Sequence, residues 1–556
     1  MRAGAAAVLL LVTGVSSPLP PPLPPPGDLP SPPRRTPDDP LDLLWAHRLV
    51  FAPGGAPLVT IRLAEGQREI AFRPRGRARL QPRGGPAVEI PAGQTFRVRA
   101  DGALPAALAH HALLGEALQA DRRRLDTTRA LWEGRGQVVS QRVVGGVYGI
   151  AGRVIDNRRV ALLVEGDGSE ASARRFAEES LARWGGRTGV FSEVVRRPSG
   201  RVEVRDAAGA VVAQGDALVT LEVDGDAGFT VERVEHDAGH AAHGFEDRAY
   251  QGVLHLTLDA SGRLAAVLGV GLEELLRGLV PSEMPAGSPR EALRAQAVTA
   301  RSNVLAQIGT RHLGDPYVLC SEVHCQAYRG AGARAPSTDA AVRDTAGEAL
   351  FGRADRALVD AVYSAMCGGH GEDNDAVWPT LPDPSLRGRP DLPPAEARAW
   401  AGGLADEARL RAFLAAAPQA WCARGAGGRR DRYRWERRLD GSELARVAGV
   451  LGLGSVRALV VTSRGASGRA RSLAVEAEDG RAVVDGELRI RRLLGNLPSA
   501  MFVVDRDGGA LVLHGGGWGH GAGMCQWGAV GRAEAGQGYR EILRAYYAGA
   551  EVAKIY

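Results

Sequence analysis

The spacing of apolar residues changes along the chain from a period of two to a mixture of strand and helix periods. Apolar and polar residues alternate in short runs between about residues 46 and 105, and this alternation is typical of strands. The next block predicts a helix at residues 171–184 and strands at residues 160–164, 202–204 and 219–223. From about residue 250 onward, helices are predicted among many strands, near residues 289–308, 340–348, 404–416 and 442–450. We therefore expect an α+β protein, with a β-rich accessory region at residues 46–235 and a domain of mixed helix and strand at residues 236–556.

One of these helices has a well-marked beginning. Ser288 provides an N-cap, Pro289 occupies the first helical position, and Glu291 follows three residues after the cap, which is the pattern of a capping box. An apolar stripe then continues to residue 308, and Gly309 ends it. The pattern predicts an amphipathic helix over residues 289–308.

Glu283 lies just ahead of this helix, between Pro281 and Pro285, and is predicted to occupy a stiff turn. Arg294 and Arg301 are seven residues apart and share a second face of the helix, where they are available to steady an anionic or polar ligand. Most glutamates are solvated surface residues, so the residue types alone leave that interpretation open.

The N-terminus has the composition of an export signal. Met1 and Arg2 precede an apolar run that ends in small residues, which predicts a signal peptide at residues 1–17. A proline-rich linker is predicted at residues 18–45. The alternative interpretation of the apolar run is an N-terminal helix of a cytosolic domain, but the linker would hold such a helix away from any core. No later run is long and apolar enough to predict a membrane anchor after signal cleavage. We expect an exported protein of the periplasm or cell wall.

The net charge and the number of cysteines limit the partners and the redox chemistry that this chain could have. The chain has 69 basic and 64 acidic residues, and a net charge of +5 over 556 residues does not favour nucleic acid as a partner. The five cysteines are an odd number, so in an oxidising compartment at least one of them is free, metal-bound or partnered outside the chain.

Several short motifs follow one another in an order that resembles a known family. They are Tyr250-Gln251-Gly252, Glu273-Glu274-Leu275-Leu276, VPSEMP at 280–285, EALRAQAVTARS at 291–302, HCQAYRG at 324–330, TAGEAL at 345–350, YSAMCGGHGED at 363–373, YRWE at 433–436, GWGHGAGMCQWGA at 517–529, and then YREIL and AYYAG. Over residues 250–550 this set resembles the stage II sporulation protein D family, also called the amidase-enhancer family, of bacterial cell-wall proteins.

The resemblance implies an enzyme that cuts the glycan strands of peptidoglycan. It implies a lytic transglycosylase that leaves 1,6-anhydromuramoyl ends, with Glu283 as the catalytic acid and with Arg294 and Arg301 on the helix that lines the cleft. The family usually has lysine where this chain has Arg294, and an arginine cannot relay a proton. Two alternatives stay open. The first is a non-catalytic enhancer that binds peptidoglycan and stimulates a cell-wall amidase, and the second is a hydrolase that pairs Glu283 with Glu372, Asp373 or Asp375.

A second set of residues has the chemistry of a metal site. His312, Cys320, His324 and Cys325 offer two imidazoles and two thiolates, which suit tetrahedral zinc, and some members of the family hold zinc in this segment. Four protein ligands leave no open position, so we expect one structural zinc and no other cofactor. A Cys320–Cys325 disulfide, or residues with no joint role, are the alternatives.

Two glycine-rich segments border the glycan groove in the family. The resemblance therefore makes four side chains candidates for sugar contacts, and each of them is equally compatible with a turn or a packed core position: Tyr363, His370, His520 and Gln526. Cys367 and Cys422 lie in the same half of the domain and are candidates for a disulfide, which would leave Cys525 as the odd thiol.

Overall fold

The computed structural model describes residues 39–51, 55–150, 153–185, 188–236, 243–322, 325–353, 356–424 and 430–556. The predicted signal peptide, most of the predicted linker and the predicted zinc ligand His324 lie outside the described residues. The described ranges contain many helices and many strands, so the α+β class is confirmed. None of the helices in these ranges combines the length and apolarity needed to cross a membrane.

The elements of the first half are mostly strands. They are α1 (Pro40–Trp45), β1 (Val50–Phe51), β2 (Pro57–Gln67), β3 (Glu69–Pro74), β4 (Ala78–Pro82), β5 (Val88–Ile90), β6 (Phe96–Leu104), β7 (Ala107–Leu118), α2 (Arg122–Glu133), β8 (Val139–Val144), β9 (Val147–Ile150), β10 (Arg153–Asp156), β11 (Arg159–Val164), α3 (Glu170–Trp184), β12 (Gly189–Arg196), β13 (Ser199–Arg205), β14 (Val211–Asp216), β15 (Leu218–Val223), β16 (Phe229–His236), β17 (Gly244–Tyr250), β18 (Val253–Leu258) and β19 (Leu264–Gly271).

The second half is mixed. It contains α4 (Leu272–Glu283), α5 (Arg290–Gln307), β20 (Leu319–Cys320), a short 3₁₀ turn (Ala331–Ala333), α6 (Pro336–Asp344), β21 (Glu348–Gly352), β22 (Tyr363–Ser364), α7 (Asn374–Val377), α8 (Pro394–Trp400), α9 (Glu407–Ala416), α10 (Trp421–Arg424), α11 (Arg430–Tyr433), β23 (Arg434–Leu439), α12 (Gly441–Leu451), β24 (Val456–Arg464), β25 (Ala470–Ala477), β26 (Arg481–Asp485), α13 (Glu487–Leu493), β27 (Phe502–Asp507), β28 (Ala510–Gly516), β29 (Met524–Cys525), α14 (Gln526–Glu534), α15 (Tyr539–Tyr546) and β30 (Ala550–Lys554).

Two large sheets and a layer of helices form the main core. The first sheet has the order β1-β2-β19-β18-β15-β4-β5, with β20 beside β2, and the second has the order β14-β13-β6-β3-β16-β17. The two sheets pack face to face, while α4 packs on β2 and β19. Nearly every residue of β18 and β19 is buried, because these strands have a covered surface on both sides.

This sheet joins regions that the sequence divides at residues 235 and 236. Strand β2 pairs with β19, and β15 pairs with β18. Both pairs cross the predicted boundary, and one apolar core includes residues from either side of it. The predicted boundary therefore cuts through a sheet, because the long-range pairing of strands is not visible in the local period of the sequence.

A smaller sheet is inserted between β6 and β13. Its strands have the order β12-β7-β11-β8, all antiparallel, and α2 and α3 pack on it. Without the β9–β10 hairpin this is a β-α-β-β-α-β arrangement of the ferredoxin-like type. We call residues 107–196 the inserted module.

The predicted helices are present, with ends shifted by about one to four residues. The helix predicted at 340–348 is α6 (Pro336–Asp344), followed by strand β21. The helix predicted at 289–308 is α5 (Arg290–Gln307), but its N-cap is Pro289 and the expected capping box is not formed. Glu291 instead binds Arg294 and the backbone N–H of Tyr539. From Ala295 onward helix α5 is also buried on all sides rather than amphipathic, because α4, α6, α14 and α15 surround it.

Candidate active site

Glu283 is the last residue of α4 rather than part of a turn ahead of α5. Pro281 lies inside this helix, and the N–H of the C-cap residue Met284 donates to the carbonyl of Val280 at 2.9 Å. Proline lacks a backbone donor, so this position cannot form the helical hydrogen bond to the carbonyl four residues before it. Burial of the apolar face of α4 against the large sheet fixes the helix end, and therefore the position of the carboxyl group of Glu283.

The carboxyl group of Glu283 has neutral hydrogen-bond donors around it. The backbone N–H of Ala327 donates to Oε1, and the side-chain amide of Gln526 lies 3.5 Å from Oε2 and 3.0 Å from the Glu283 carbonyl. Burial raises the pKa of Glu283, while the Ala327 N–H, the Tyr363 hydroxyl and the Gln526 amide partly oppose the shift. In the part of the chain that the structure describes, Glu283 takes part in no ion pair within 4.0 Å. A carboxyl group in these surroundings holds its proton to a higher pH than an exposed one.

A close approach of two backbone segments creates the Ala327 contact. The segment of residues 325–330 packs along α4 at Gly278, where an added Cβ would lie 2.7 Å from the Tyr328 ring and 2.8 Å from the carbonyl of Gly330. The hydroxyl of Ser282 then accepts from the backbone N–H of Arg329 at 3.1 Å. Only glycine at position 278 leaves room for this segment, which carries the donor of Ala327 to the end of α4.

A two-residue parallel pairing brings Tyr363 and Gln526 to the same place. Strand β22 pairs with β29, so that Tyr363 lies opposite Met524 and Ser364 lies opposite Cys525. Helix α14 starts directly after β29, and Gln526 is its first residue. The two glycine-rich motifs, which are far apart in the sequence, therefore meet beside Glu283.

Three buried polar residues that the sequence interpretation missed complete this site. Gln296 on α5 accepts from the Gln526 amide at 3.3 Å, and Gln326 accepts from the Tyr363 hydroxyl at 3.0 Å. The amide of Gln326 in turn donates to Asn303 at 2.9 Å. Gln296 stands in the motif EALRAQAVTARS and Gln326 in HCQAYRG, and this position inside the motifs was the available signal. The network fixes the side chains around Glu283 because each buried polar group needs a partner.

His520 lies one contact further from the acid. Its Nε2 is 2.8 Å from the carbonyl of Tyr363, and its Nδ1 accepts from the backbone N–H of Ala522, so the proton is assigned to Nε2. Burial lowers its pKa to about 3, and the neutral ring packs on Trp378 with centroids 4.8 Å apart. His520 therefore positions Tyr363 through the backbone, and Trp378 is an additional half-buried aromatic residue beside it.

His370 and the nearby acids are engaged elsewhere. His370 is buried, with Nδ1 2.7 Å from the carbonyl of Gly371, and burial lowers its pKa to about 4. Glu372 is 1% exposed and accepts from Ser467 at 2.6 Å. Asp373 and Asp375 both pair with Arg387, at 3.5 and 2.6 Å. None of these contacts involves the carboxyl group of Glu283.

The two candidate arginines of α5 are both paired with acids. Arg294 binds Glu291 at 3.0 Å and Asp344 at 2.7 Å. The Arg301 guanidinium is fully buried and forms two hydrogen bonds with Glu273, at 2.8 and 2.7 Å. The predicted cleft-lining face of α5 is thus an interior face, and the structure does not bring Arg301 to the surface around Glu283.

Three of the four predicted zinc ligands come together. The donor atoms of His312, Cys320 and Cys325 all lie within 4.8 Å of one another, and Nε2 of His312 is 3.0 Å from Sγ of Cys325. Nδ1 of His312 is 2.9 Å from a carboxylate oxygen of Asp315, an arrangement that orients metal-binding histidines. The fourth predicted ligand, His324, lies outside the described residues. The donor set suits zinc, and it stands next to the segment that carries Ala327.

Two segments of the chain match known families, and two relatives are similar over longer stretches. Residues 260–351, which include Glu283 and the His312 cluster, match the family described as stage II sporulation protein, and residues 372–523 match a domain family of unknown function. An uncharacterized protein of Brachyspira hyodysenteriae is 26% identical over 326 residues, 57% of this chain and 75% of that protein. The amidase enhancer of Bacillus subtilis is 27% identical over 300 residues, 49% of this chain and 39% of that protein.

Proposed function

This chain belongs to the stage II sporulation protein D and amidase-enhancer family, and on that premise we propose that it is an exported lytic transglycosylase of peptidoglycan. Its substrate would be the glycosidic bond between N-acetylmuramic acid and N-acetylglucosamine, and its product a 1,6-anhydromuramoyl end. The observation that carries the proposal is the carboxyl group of Glu283, half-buried among neutral donors with a raised pKa.

Such a carboxyl group suits an acid that later serves as a base. Departure of the sugar oxygen needs a proton, and a raised pKa keeps Glu283 protonated closer to neutral pH. The C6 hydroxyl of the muramic acid then attacks C1, and the ionised Glu283 accepts its proton. The Ala327 N–H and the Gln526 amide donate to the carboxyl oxygens, so they hold the group in one orientation in both protonation states.

The surroundings favour one carboxylate over two. A hydrolase normally uses a second carboxylate as base or nucleophile, and the candidates are Glu372, Asp373 and Asp375. Glu372 is buried against Ser467, and both aspartates are paired with the same arginine, Arg387. A transglycosylase needs no second protein carboxylate because the attacking hydroxyl belongs to the substrate.

A second candidate function comes from one relative. The Bacillus subtilis relative is named amidase enhancer, and this chain spans about two fifths of its length. A protein of this type would bind peptidoglycan strands through the residues around Glu283 and stimulate a cell-wall amidase without cutting glycan. Tyr363, Gln526 and His520 would then serve glycan binding only.

Mass spectrometry of the products separates these functions. Purified protein is incubated with peptidoglycan glycan strands, and anhydro ends are expected. The Glu283→Gln variant should lose about 10² to 10⁴ in rate, whereas Asp373→Asn, which removes only a charge paired with Arg387, should stay near the wild-type rate. A loss below tenfold in Glu283→Gln contradicts the assigned acid. Reducing ends indicate a hydrolase, and retained binding with no product but faster amidase action indicates an enhancer.

Zinc at the His312 cluster would have a structural role in this enzyme. Cys320 ends strand β20, which pairs with β2, and Cys325 begins the segment that carries Gln326 and Ala327. A zinc ion held by His312, Cys320, Cys325 and His324 would fix the start of that segment. The chemistry at Glu283 needs no open metal position, so every protein ligand is free to serve structure.

A further inference from the structure

Three cysteines and an aspartate that are far apart in sequence meet in a second, fully interior cluster. Cys367, Cys422 and Cys525 are each 1% exposed, and Asp391 is 4% exposed. One donor atom from each residue lies within 4.8 Å of all the others. The residues come from four separate segments: the turn after β22, the loop before α8, helix α10 and the end of β29.

The distances in this cluster match the edges of a metal tetrahedron. Zinc–sulfur bonds of about 2.3 Å and zinc–oxygen bonds of about 2.0 Å place two sulfurs about 3.8 Å apart, and a sulfur and an oxygen about 3.5 Å apart. Sγ of Cys367 is 3.7 Å from Sγ of Cys422 and 3.3 Å from Oδ2 of Asp391. A small cavity of about 30 Å³ adjoins Cys367 and Asp391.

Backbone N–H groups point at two of the sulfurs. Sγ of Cys525 accepts from the N–H of Cys367 at 3.1 Å and from the N–H of Gly528, in the first turn of α14, at 3.2 Å. Sγ of Cys367 accepts from the N–H of Gly369 at 3.4 Å. Donors of this kind stabilise negative charge on sulfur, which is the form that binds a metal.

The aspartate has the outer partners of a metal ligand. Arg532 donates to Oδ1 of Asp391 at 2.8 Å, and the Tyr546 hydroxyl donates to Oδ2 at 3.0 Å. These bonds fix the carboxylate so that it faces the sulfurs, and the cation offsets part of the charge of three thiolates and a carboxylate. An added Cβ at Gly528 would lie 2.4 Å from Oδ2, so the glycine leaves space for the carboxylate at the start of α14.

We propose that Cys367, Cys422, Cys525 and Asp391 bind a structural zinc ion. When zinc binds, each thiol releases one proton and no electron is transferred, so the site needs no oxidant. A Cys367–Cys422 disulfide would use two of the sulfurs and leave the third, Cys525, beside a buried carboxylate. Calcium and magnesium are excluded as occupants because they take oxygen ligands.

The ion would hold the two glycine-rich motifs at the active site. Cys525 directly precedes Gln526, whose amide contacts Glu283, and Cys367 lies four residues after Tyr363. Strands β22 and β29 share only two residue pairs, which is little pairing to fix a catalytic position. A zinc ion bound to both segments would supply the missing constraint. This role stands whether the site at Glu283 cleaves glycan or only binds it.

The test counts metal in the full chain, purified without chelator, and in two matched variants. The Cys422→Ser variant removes a ligand of the interior cluster, and Cys325→Ser removes a ligand of the His312 cluster. Elemental analysis should find one zinc fewer per chain in Cys422→Ser than in the wild type, whereas Cys325→Ser should keep the interior zinc. If the His312 cluster binds no zinc, the wild type holds one ion and Cys422→Ser holds none, so failure of one site does not hide the other.

A measurement on the wild type covers the case in which Cys422→Ser does not fold. Titration with an organomercurial in the presence of a zinc indicator should release zinc as Cys367, Cys422 and Cys525 react, and peptide mapping assigns the modified thiols. Cobalt substitution should give a charge-transfer band that weakens in Cys422→Ser. A Cys367–Cys422 disulfide in the mapped protein, or these thiols reacting with no release of zinc, would overturn the proposal.

Discussion

Replacement of Arg301 by methionine should destabilise the protein strongly without a direct effect on glycan contacts. The guanidinium is 0% exposed and forms two hydrogen bonds with Glu273 and one, at 3.0 Å, with the carbonyl of Glu348. Methionine keeps much of the volume but leaves the Glu273 carboxylate without its cation. Breaking a fully buried pair costs about 3–5 kcal/mol of unfolding free energy, and the loss should lie near the lower end here because the Glu273 side chain is 25% exposed.

The chain provides a matched control for this substitution. Arg290 pairs with Asp344 at 2.8 Å but is 67% exposed, so Arg290→Met should cost less than about 1 kcal/mol. Adding Glu273→Leu to Arg301→Met should recover part of the loss, because the unpaired charge is then absent. Recovery should be incomplete since the Tyr556 hydroxyl also donates to Glu273.

Urea denaturation followed by circular dichroism measures these differences, with the slopes compared to check that each variant unfolds in the same way. Glycan binding is measured on the folded variants in parallel. If Arg301→Met keeps wild-type stability but loses binding, the guanidinium faces a ligand and the buried ion pair described above is wrong.

Four further outcomes are expected. Ionisation of Glu283 opposes folding because its pKa is raised above 4.5 in the folded state, so the wild type loses stability as pH rises through the folded-state pKa. Glu283→Gln should therefore be the more stable protein at neutral pH and equal to the wild type well below pH 4.5 in calorimetry. Cys325→Ser should lose zinc and melt at a lower temperature, measured by elemental analysis and calorimetry. Gly523→Ala should lower the free energy of unfolding, measured by urea denaturation, because the added Cβ would lie 1.9 Å from the Val362 carbonyl. The loss should be far larger than in Gly508→Ala, where the added Cβ meets open space and the loss should be about 1–2 kcal/mol. N-terminal sequencing of exported protein should find a start near residues 16–20, and Met1 intact on cytosolic protein would contradict the signal peptide.

The sequence predicts those features that depend on local pattern. The helix of residues 171–184 and the strands between about residues 46 and 105 follow from the period of apolar residues, and α3 and β2 agree with them. Glu283, Tyr363 and Gln526 could be selected together only because the order of motifs resembles a family. No period or spacing in the chain places residues 363 and 526 side by side.

The features that local pattern misses depend on long-range packing. Arg301 on a polar helix face is normally solvated, but here α5 is surrounded by other helices and the arginine meets Glu273 inside the protein. Asp391 belongs to none of the recognised motifs, and its place beside three cysteines results from the meeting of four distant segments. The β2–β19 pairing likewise could not be seen from either strand alone.

The two ends of the inserted module are attached to the sandwich at neighbouring positions on adjacent strands. The last residue of β6, Leu104, pairs directly with the first residue of β13, Ser199, and paired residues on antiparallel strands are only about 5 Å apart. A tight hairpin turn would bridge the same gap. The 94 residues between them can therefore lengthen, shorten or be exchanged for another domain over evolution without a shift in the register of the sandwich. Relatives of this protein with very different lengths can thus share one unchanged scaffold around Glu283.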